Sequence, residues 1–280
     1  MAKLVHVNSI LLYNLHKIMF SSSTSAVKTV GLLVIGDEIL KGQVVDSNSH
    51  YITKRLHQLG LKVEKITVTG DNKDEISEEV KNFSLRYDYV ITTGGIGPTH
   101  DDVTFESVAE AFNEPVILHP ELVKICAQFY GTTDPESPGM KLARVPKSSK
   151  LTFAQEDGEL RTHYPNVSVR NVYMFPGIPQ LCERLFDKLS GQLFETTNQF
   201  YTRNVYFNVT EEKIANALSL VVAEYPGVLI GSYPELFNRY YKVRIVLESS
   251  QEQEMEQAYV KLLQIVPREV IVPQEKIFNK

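Results

Sequence analysis

The segment 92–106, TTGGIGPTHDDVTFE, sets a glycine-rich stretch directly against a pair of carboxylates. Glycine lets backbone amides approach a ligand closely and adopt positive φ, and successive N–H groups then form a concave anion site. Gly94, Gly95 and Gly97 supply that pattern, and Pro98 fixes the exit of the loop. A helix starting near Val103 would turn its positive N-terminal end toward the same anion. The spacing fits neither GxGxxG nor GxxxxGK[ST], so it supports neither a dinucleotide fingerprint nor a P-loop. A tight structural turn is the plainer alternative.

Asp101 and Asp102 would repel a bare phosphate. A divalent cation removes the conflict, because hard cations take carboxylate and phosphate oxygens together. Such an ion can polarise a phosphoryl group or acidify a bound water. Capping of the following helix is the structural alternative for these aspartates. His100 stands beside them as an acid or a phosphate contact. Gly36-Asp37-Glu38, Asp46-Ser47-Asn48 and Gly70-Asp71-Asn72 are each ordinary turn chemistry. Three acidic loops at one sheet edge exceed what turns require. Arg144, with Lys141 and Lys147, forms a basic cluster able to meet an acidic ligand or simply a solvated surface. No Ser-His-Asp or Cys-His arrangement carries a recognisable signature.

The elements that would position these groups follow from periodicity. Residues 29–35 read as a buried strand, 47–59 as a helix stopped by Gly60, 62–69 as a strand, 73–84 as a helix and 87–93 as a strand ending at the glycine loop. A helix over 103–112 follows. This alternation predicts a mostly parallel, doubly wound α/β sheet, with ligands beyond the carboxyl ends of its strands. Residues 115–165 are less regular, with a helix near 121–130. A strand over 169–175 then turns through 176–179 into a helix over 180–189. From 203 onward the order β-α-β-β-α-β predicts a smaller ferredoxin-like α+β domain. The expected layout is a leader over 1–28, the larger domain over 29–198 and the smaller over 199–280.

The chain has 280 residues, 43% hydrophobic and 22% charged, with a net charge of -5. These values fit a globular protein and give no general pull toward nucleic acid or an acidic membrane. No apolar tract is long enough for a transmembrane helix. Cys126 and Cys182 form neither a CxxC nor a disulfide framework and read as buried thiols in a reducing compartment. No acidic residue precedes Asp37, and a serine-rich run occupies 21–25. That composition fits a mitochondrial transit peptide, while the lack of arginine speaks against one.

With GDEILKGQVVDSNS, TGDN and TTGGIGPTHDDVTFESVAEAF in order, the chain resembles the molybdopterin-binding domains of the Mog and CinA type. VSVRNVYMFPGIP and GSYPELFNRYYKVRI resemble the N-terminal half of animal and plant-type two-domain FAD synthases. The resemblance implies a homo-oligomer that binds a nucleotide, flavin or pterin, while charge and the lack of a long apolar tract predict neither nucleic acid nor membrane as a partner. It places the protein in the mitochondrial matrix or cytoplasm. Asp71 and Asp102 match the family's implicated acidic positions and are the expected catalytic residues, with Asp101 and Asp102 as metal ligands. Ligand contacts are expected from Gly36, Asp37, Asp46, Asn48, Gly94, Gly95, Gly97, Pro98, Thr99, Thr104 and Arg144. The implied cofactor is cobalt, magnesium or manganese, with potassium.

FAD synthases of this type carry a further half with an SGGKD-like loop for adenylyl transfer, and no such loop occurs in this sequence. The expected activity is therefore metal-dependent hydrolysis of a nucleotide diphosphate, foremost FAD to FMN and AMP. Two rivals are a non-catalytic flavin or pterin binder that regulates an FAD synthase, and adenylyl transfer to molybdopterin.

Overall fold

Strand Thr29–Ile35 (β1), TVGLLVI, is apolar on both faces because layers of helix cover it on both sides. In this computed structural model, which describes residues 27–154 and 164–278, a short helix Asp37–Leu40 (α1) follows, then Asn48–Gln58 (α2). Ile52 and Leu56, one helical turn apart, bury α2 against the sheet. Lys62–Thr69 (β2) is the edge strand and is largely exposed. Asn72 caps Lys73–Arg86 (α3), its side chain accepting from the amides of Asp74 and Glu75. Tyr89–Thr93 (β3) is wholly buried and delivers the chain to the glycine loop, after which Thr104–Ala111 (α4) begins. Val116–Leu118 (β4), Pro120–Tyr130 (α5), Arg144–Pro146 (β5), Lys150–Thr152 (β6), Asn166–Val169 (β7), Val172–Phe175 (β8) and Pro179–Leu193 (α6) complete the larger domain.

Its sheet has the order β2-β1-β3-β8-β7-β6. The first four strands are parallel; β7 runs antiparallel to β8, and β6 runs antiparallel to β7. The expected doubly wound architecture is present as a mixed sheet. The antiparallel part arises where the sequence reads as a single strand over 169–175. The chain instead reverses at Arg170, which adopts φ 53. The Asn171 side chain pins that reversal by donating to the carbonyls of Ser84 and Tyr87. Arginine is not a turn former, so Asn171 is the one compositional signal of the reversal.

Tyr201–Phe207 (β9), Glu211–Glu224 (α7), Leu229–Pro234 (β10), Val243–Ser249 (β11), Glu252–Ile265 (α8), Ile271–Val272 (β12) and Glu275–Phe278 (α9) form the smaller domain. Its sheet, β10-β11-β9-β12, is antiparallel throughout and has the ferredoxin-like order. Val243, Ile245 and Leu247 alternate into a core with Val221, Ala258 and Leu262. The domains touch where α2 ends. There His57 Nε2 lies 2.7 Å from Glu248 and its ring stacks on Phe200.

Residues 1–26, most of the expected leader, lie outside the described residues. Among the described residues, no helix is long and apolar enough to cross a membrane. Cys126 and Cys182 are both free and buried, as expected.

Candidate functional site

The βα connections after β1, β2 and β3, together with the turn after β8, meet at the carboxyl edge of the larger sheet. The glycine loop is held there by steric need. Gly94 has φ 105, and any Cβ would run into the Ile35 carbonyl; Gly95 has φ 60 and abuts the Thr104 side chain. Thr104 is fully buried and donates from Oγ1 to the Gly94 carbonyl at 2.8 Å. It braces the loop from behind and does not face a ligand.

The Gly94 amide donates to the Phe175 carbonyl at 3.2 Å. It is thus spent within the fold and unavailable to an anion. Among the described residues, the amides of Gly95, Ile96 and Gly97 have no partner. The anion cradle is therefore these three consecutive amides rather than those of the three glycines. Ile96 belongs because an amide cradle is indifferent to the side chain between its glycines.

Asp102 does not cap α4, whose N-cap position, Val103, has no side-chain cap. Its Oδ2 accepts from the Thr99 amide at 2.8 Å and the Thr99 hydroxyl at 2.5 Å. The turn after Gly97 closes on that carboxylate. Lys141 Nζ donates to the Thr99 carbonyl and ties this turn to the segment preceding β5. Pro98, His100 and Asp101 are exposed, and His100 Nδ1 lies 3.8 Å from Asp101.

Asp37 and Asp71 clasp one another's backbone. The Asp37 amide donates to Asp71 Oδ2 at 3.0 Å, and the Asp71 amide to Asp37 Oδ1 at 3.4 Å. Lys41, 2.7 Å from Asp37, holds its carboxyl below the ordinary aspartate value. Asp71 is shifted the other way, upward, by burial and by the charges of Glu38, Asp37 and Asp101. Asp46 accepts from the Ser49 amide at 2.9 Å at the start of α2. Asn48, 7% exposed, donates to Thr93 Oγ1 at 2.9 Å and to the Gly177 carbonyl at 2.8 Å. It thereby fastens the turn after β8 to the end of β3, where Gly177 packs against Gly94.

A cleft between these connections is lined by Val44, Val45, Asn48, Gly94, Gly177 and Pro179. The outer residues of this edge include Val44, Val45, Ile178 and Leu181, all at least half exposed. Arg144 is engaged elsewhere, its guanidinium bound to the Pro135 carbonyl and to Glu136, both at 2.9 Å. The sequence singles out Lys141 only within a basic cluster, not as the tie to Thr99, and it does not single out Ile96, Gly177 or the apolar rim. Only Ile96 carried a local signal, its place inside GGIG.

Among the described residues, no three His, Cys, Asp or Glu side chains form a ready metal cage. Glu38, Asp37 and Asp101 nevertheless lie close enough for their charges to add to burial in raising the Asp71 pKa. That donor set fits a hard cation held by one or two carboxylates, the ligand's phosphate and water.

An amide cradle and clasped acidic loops at the carboxyl edge of a doubly wound sheet define a small-ligand-binding α/β domain. Residues 31–195 match the family described as probable molybdopterin binding domain, and the chain belongs to that family. Residues 199–275 match the FAD synthase middle domain.

The chain is 38% identical over 265 residues to a probable FAD synthase of Caenorhabditis briggsae, covering 87% of this chain and 50% of that protein. It is 37% identical to the probable FAD synthase of Caenorhabditis elegans, covering 87% and 51%. The chain thus spans about half the length of these relatives. A CinA protein from Thermoplasma acidophilum has a similar structure, with a TM-score of 0.54, 27% identity, and coverage of 61% of this chain and 100% of that one.

Proposed function

We propose that the larger domain hydrolyses the diphosphate of a nucleotide, foremost FAD to FMN and AMP, with a divalent cation. The observation that carries this reading is the row of unpartnered amides at Gly95, Ile96 and Gly97 beside clasped carboxylates. Amides bind phosphate oxygens, and carboxylates beside them become favourable once a cation lies between. Kinship with proteins named FAD synthase directs the choice among nucleotides.

In this reading the three amides hold one phosphate and the apolar rim receives a ring of the ligand. Asp71, whose basicity burial has raised, accepts a proton from the attacking water. That water's oxygen bonds to one phosphorus as the bridging P–O bond breaks, giving two monophosphates. Asp101 and Asp102, with Asp71 nearby, would hold the cation, which supplies charge neutralisation at the phosphates. A soluble protein of the mitochondrial matrix or cytoplasm is the corresponding cellular form.

The test incubates the protein with FAD, ADP-ribose or NADH, potassium, and magnesium, manganese or cobalt, and reads products by mass spectrometry. FMN and AMP should appear from FAD, and Asp102→Asn should abolish them. Saturable binding without turnover under every metal would replace hydrolysis with a binding role. Adenylylated molybdopterin formed from ATP would replace it with adenylyl transfer.

A further inference from the structure

The loop between β10 and β11 carries the most exposed apolar side chains of the smaller domain. Leu236 is 87% exposed and Phe237 97%, and Tyr233 and Tyr240 flank them about half exposed. The loop is nonetheless a built structure. Asn238 Oδ1 accepts from the amides of Tyr240 and Tyr241, and the Glu235 amide donates to the Lys242 carbonyl at 2.8 Å. Tyr241 packs edge-on against Tyr206, and the Arg244 guanidinium lies over the Tyr233 ring. Within Pro234–Val243, Arg239 and Lys242 outnumber the single carboxylate, Glu235, in a protein whose net charge is -5. Arg239 has no ion-pair partner among the described residues.

The carboxyl edge of the larger domain is its complement. Leu40, Val44, Val45, Ile178 and Leu181 are exposed there by half or more, beside the acidic Asp37, Glu38, Asp71 and Asp101. Bare apolar surface next to a site where carboxylates outnumber their one cation, Lys41, marks an interaction surface.

The chain does not cover this edge with its own hairpin. The domains meet at His57, the far end of α2 from Asn48 and the cleft. On the small sheet, Glu248 makes that contact, and the loop lies beyond Val243 at the opposite end of β11. Both surfaces therefore stand open in one molecule.

We infer that each copy of this chain docks its Pro234–Val243 hairpin on the carboxyl edge of a second copy. Leu236 and Phe237 cover the apolar rim, and Arg239 faces the acidic loops. Two such contacts related by a two-fold axis close the assembly as a dimer and leave neither surface exposed. The partner's hairpin would roof the cleft and keep water from a ligand's ring, and its Arg239 would add a positive charge near the amide cradle. The roofing role rests on the site reading above; the dimer does not.

Sedimentation velocity of the full chain separates the two. The wild-type protein should sediment as a dimer at micromolar concentration. Phe237→Asp and Val45→Asp should each give monomers with unchanged circular dichroism, since both side chains are on the surface. Arg239→Glu and Glu38→Arg should each weaken the dimer about tenfold or more. An equal mixture of these two variants should dimerise like wild type, because each contact in the mixed dimer then pairs opposite charges. A wild-type monomer, a trimer, a dimer indifferent to Phe237→Asp, or a mixture without restoration overturns the inference. Turnover is not among the readouts, so loss of the hydrolase reading leaves this test intact.

Discussion

Asn48 ties together three parts of the candidate site, and its removal should be felt in stability before chemistry. Asn48→Ala deletes two donors, one to Thr93 Oγ1, on a residue 1% exposed, and one to the Gly177 carbonyl. Thr93 keeps its bond to the Pro176 carbonyl, so it loses about 1 kcal/mol, while the Gly177 carbonyl loses a partner worth about 1–3 kcal/mol. The substitution also removes Asn48 Oδ1, a buried oxygen without a partner, which returns about 1 kcal/mol. The net cost is about 2 kcal/mol, on the order of thirtyfold in the folding equilibrium.

Asn48→Asp is the sharper probe. A carboxylate there faces the Gly177 carbonyl while buried, so its pKa in the folded protein rises above the unfolded value. A raised folded pKa gives stability that is present at low pH and lost as pH rises through the folded value. Asn48→Asp should therefore approach Asn48→Ala near pH 4 and fall below it near pH 8. Urea titrations of wild type and both variants at the two pH values measure this. A cost under about 0.5 kcal/mol for Asn48→Ala, below the usual worth of one hydrogen bond, would refute the bracing role.

Other expectations follow from the same geometry. Because the Asp71 pKa is raised by burial and like charges, its ionisation opposes folding as pH climbs above the usual 3.8. Asp71→Asn should gain stability relative to wild type over that interval, while turnover, deprived of its proposed base, should fall about 10²–10⁴-fold. Burial pushes the Cys126 thiol up to about 11 and Cys182 up to about 12. Neither should react with a disulfide reagent at pH 8 until denaturant is added. Leu247→Ala, at a fully buried position of the smaller core, should cost about 2–5 kcal/mol. Hydrogen exchange should show that loss in β9–β11 and leave β1 and β3 protected.

Much of this molecule is legible in one dimension because its signals are local. The runs at β1 and β3, the helical spacing of Ile52 and Leu56, and the alternation along β11 each record which faces are covered. Glycine and aspartate likewise announce the loops after β1, β2 and β3. The short strands β4, β5 and β6 carry too few residues for a period to emerge.

Whether a given amide or carboxylate is free is a different kind of fact. The Gly94 amide is taken by Phe175, the Thr104 hydroxyl by Gly94 and the Arg144 guanidinium by Glu136. None of these pairings has a sequence period, because each joins segments brought together only by packing. The sequence by itself determined the doubly wound domain, the ferredoxin-like domain after it and the glycine-aspartate segment at a strand's end. Tertiary structure alone decided which three amides remain open, since a hydrogen bond is assigned by distance in space and not along the chain.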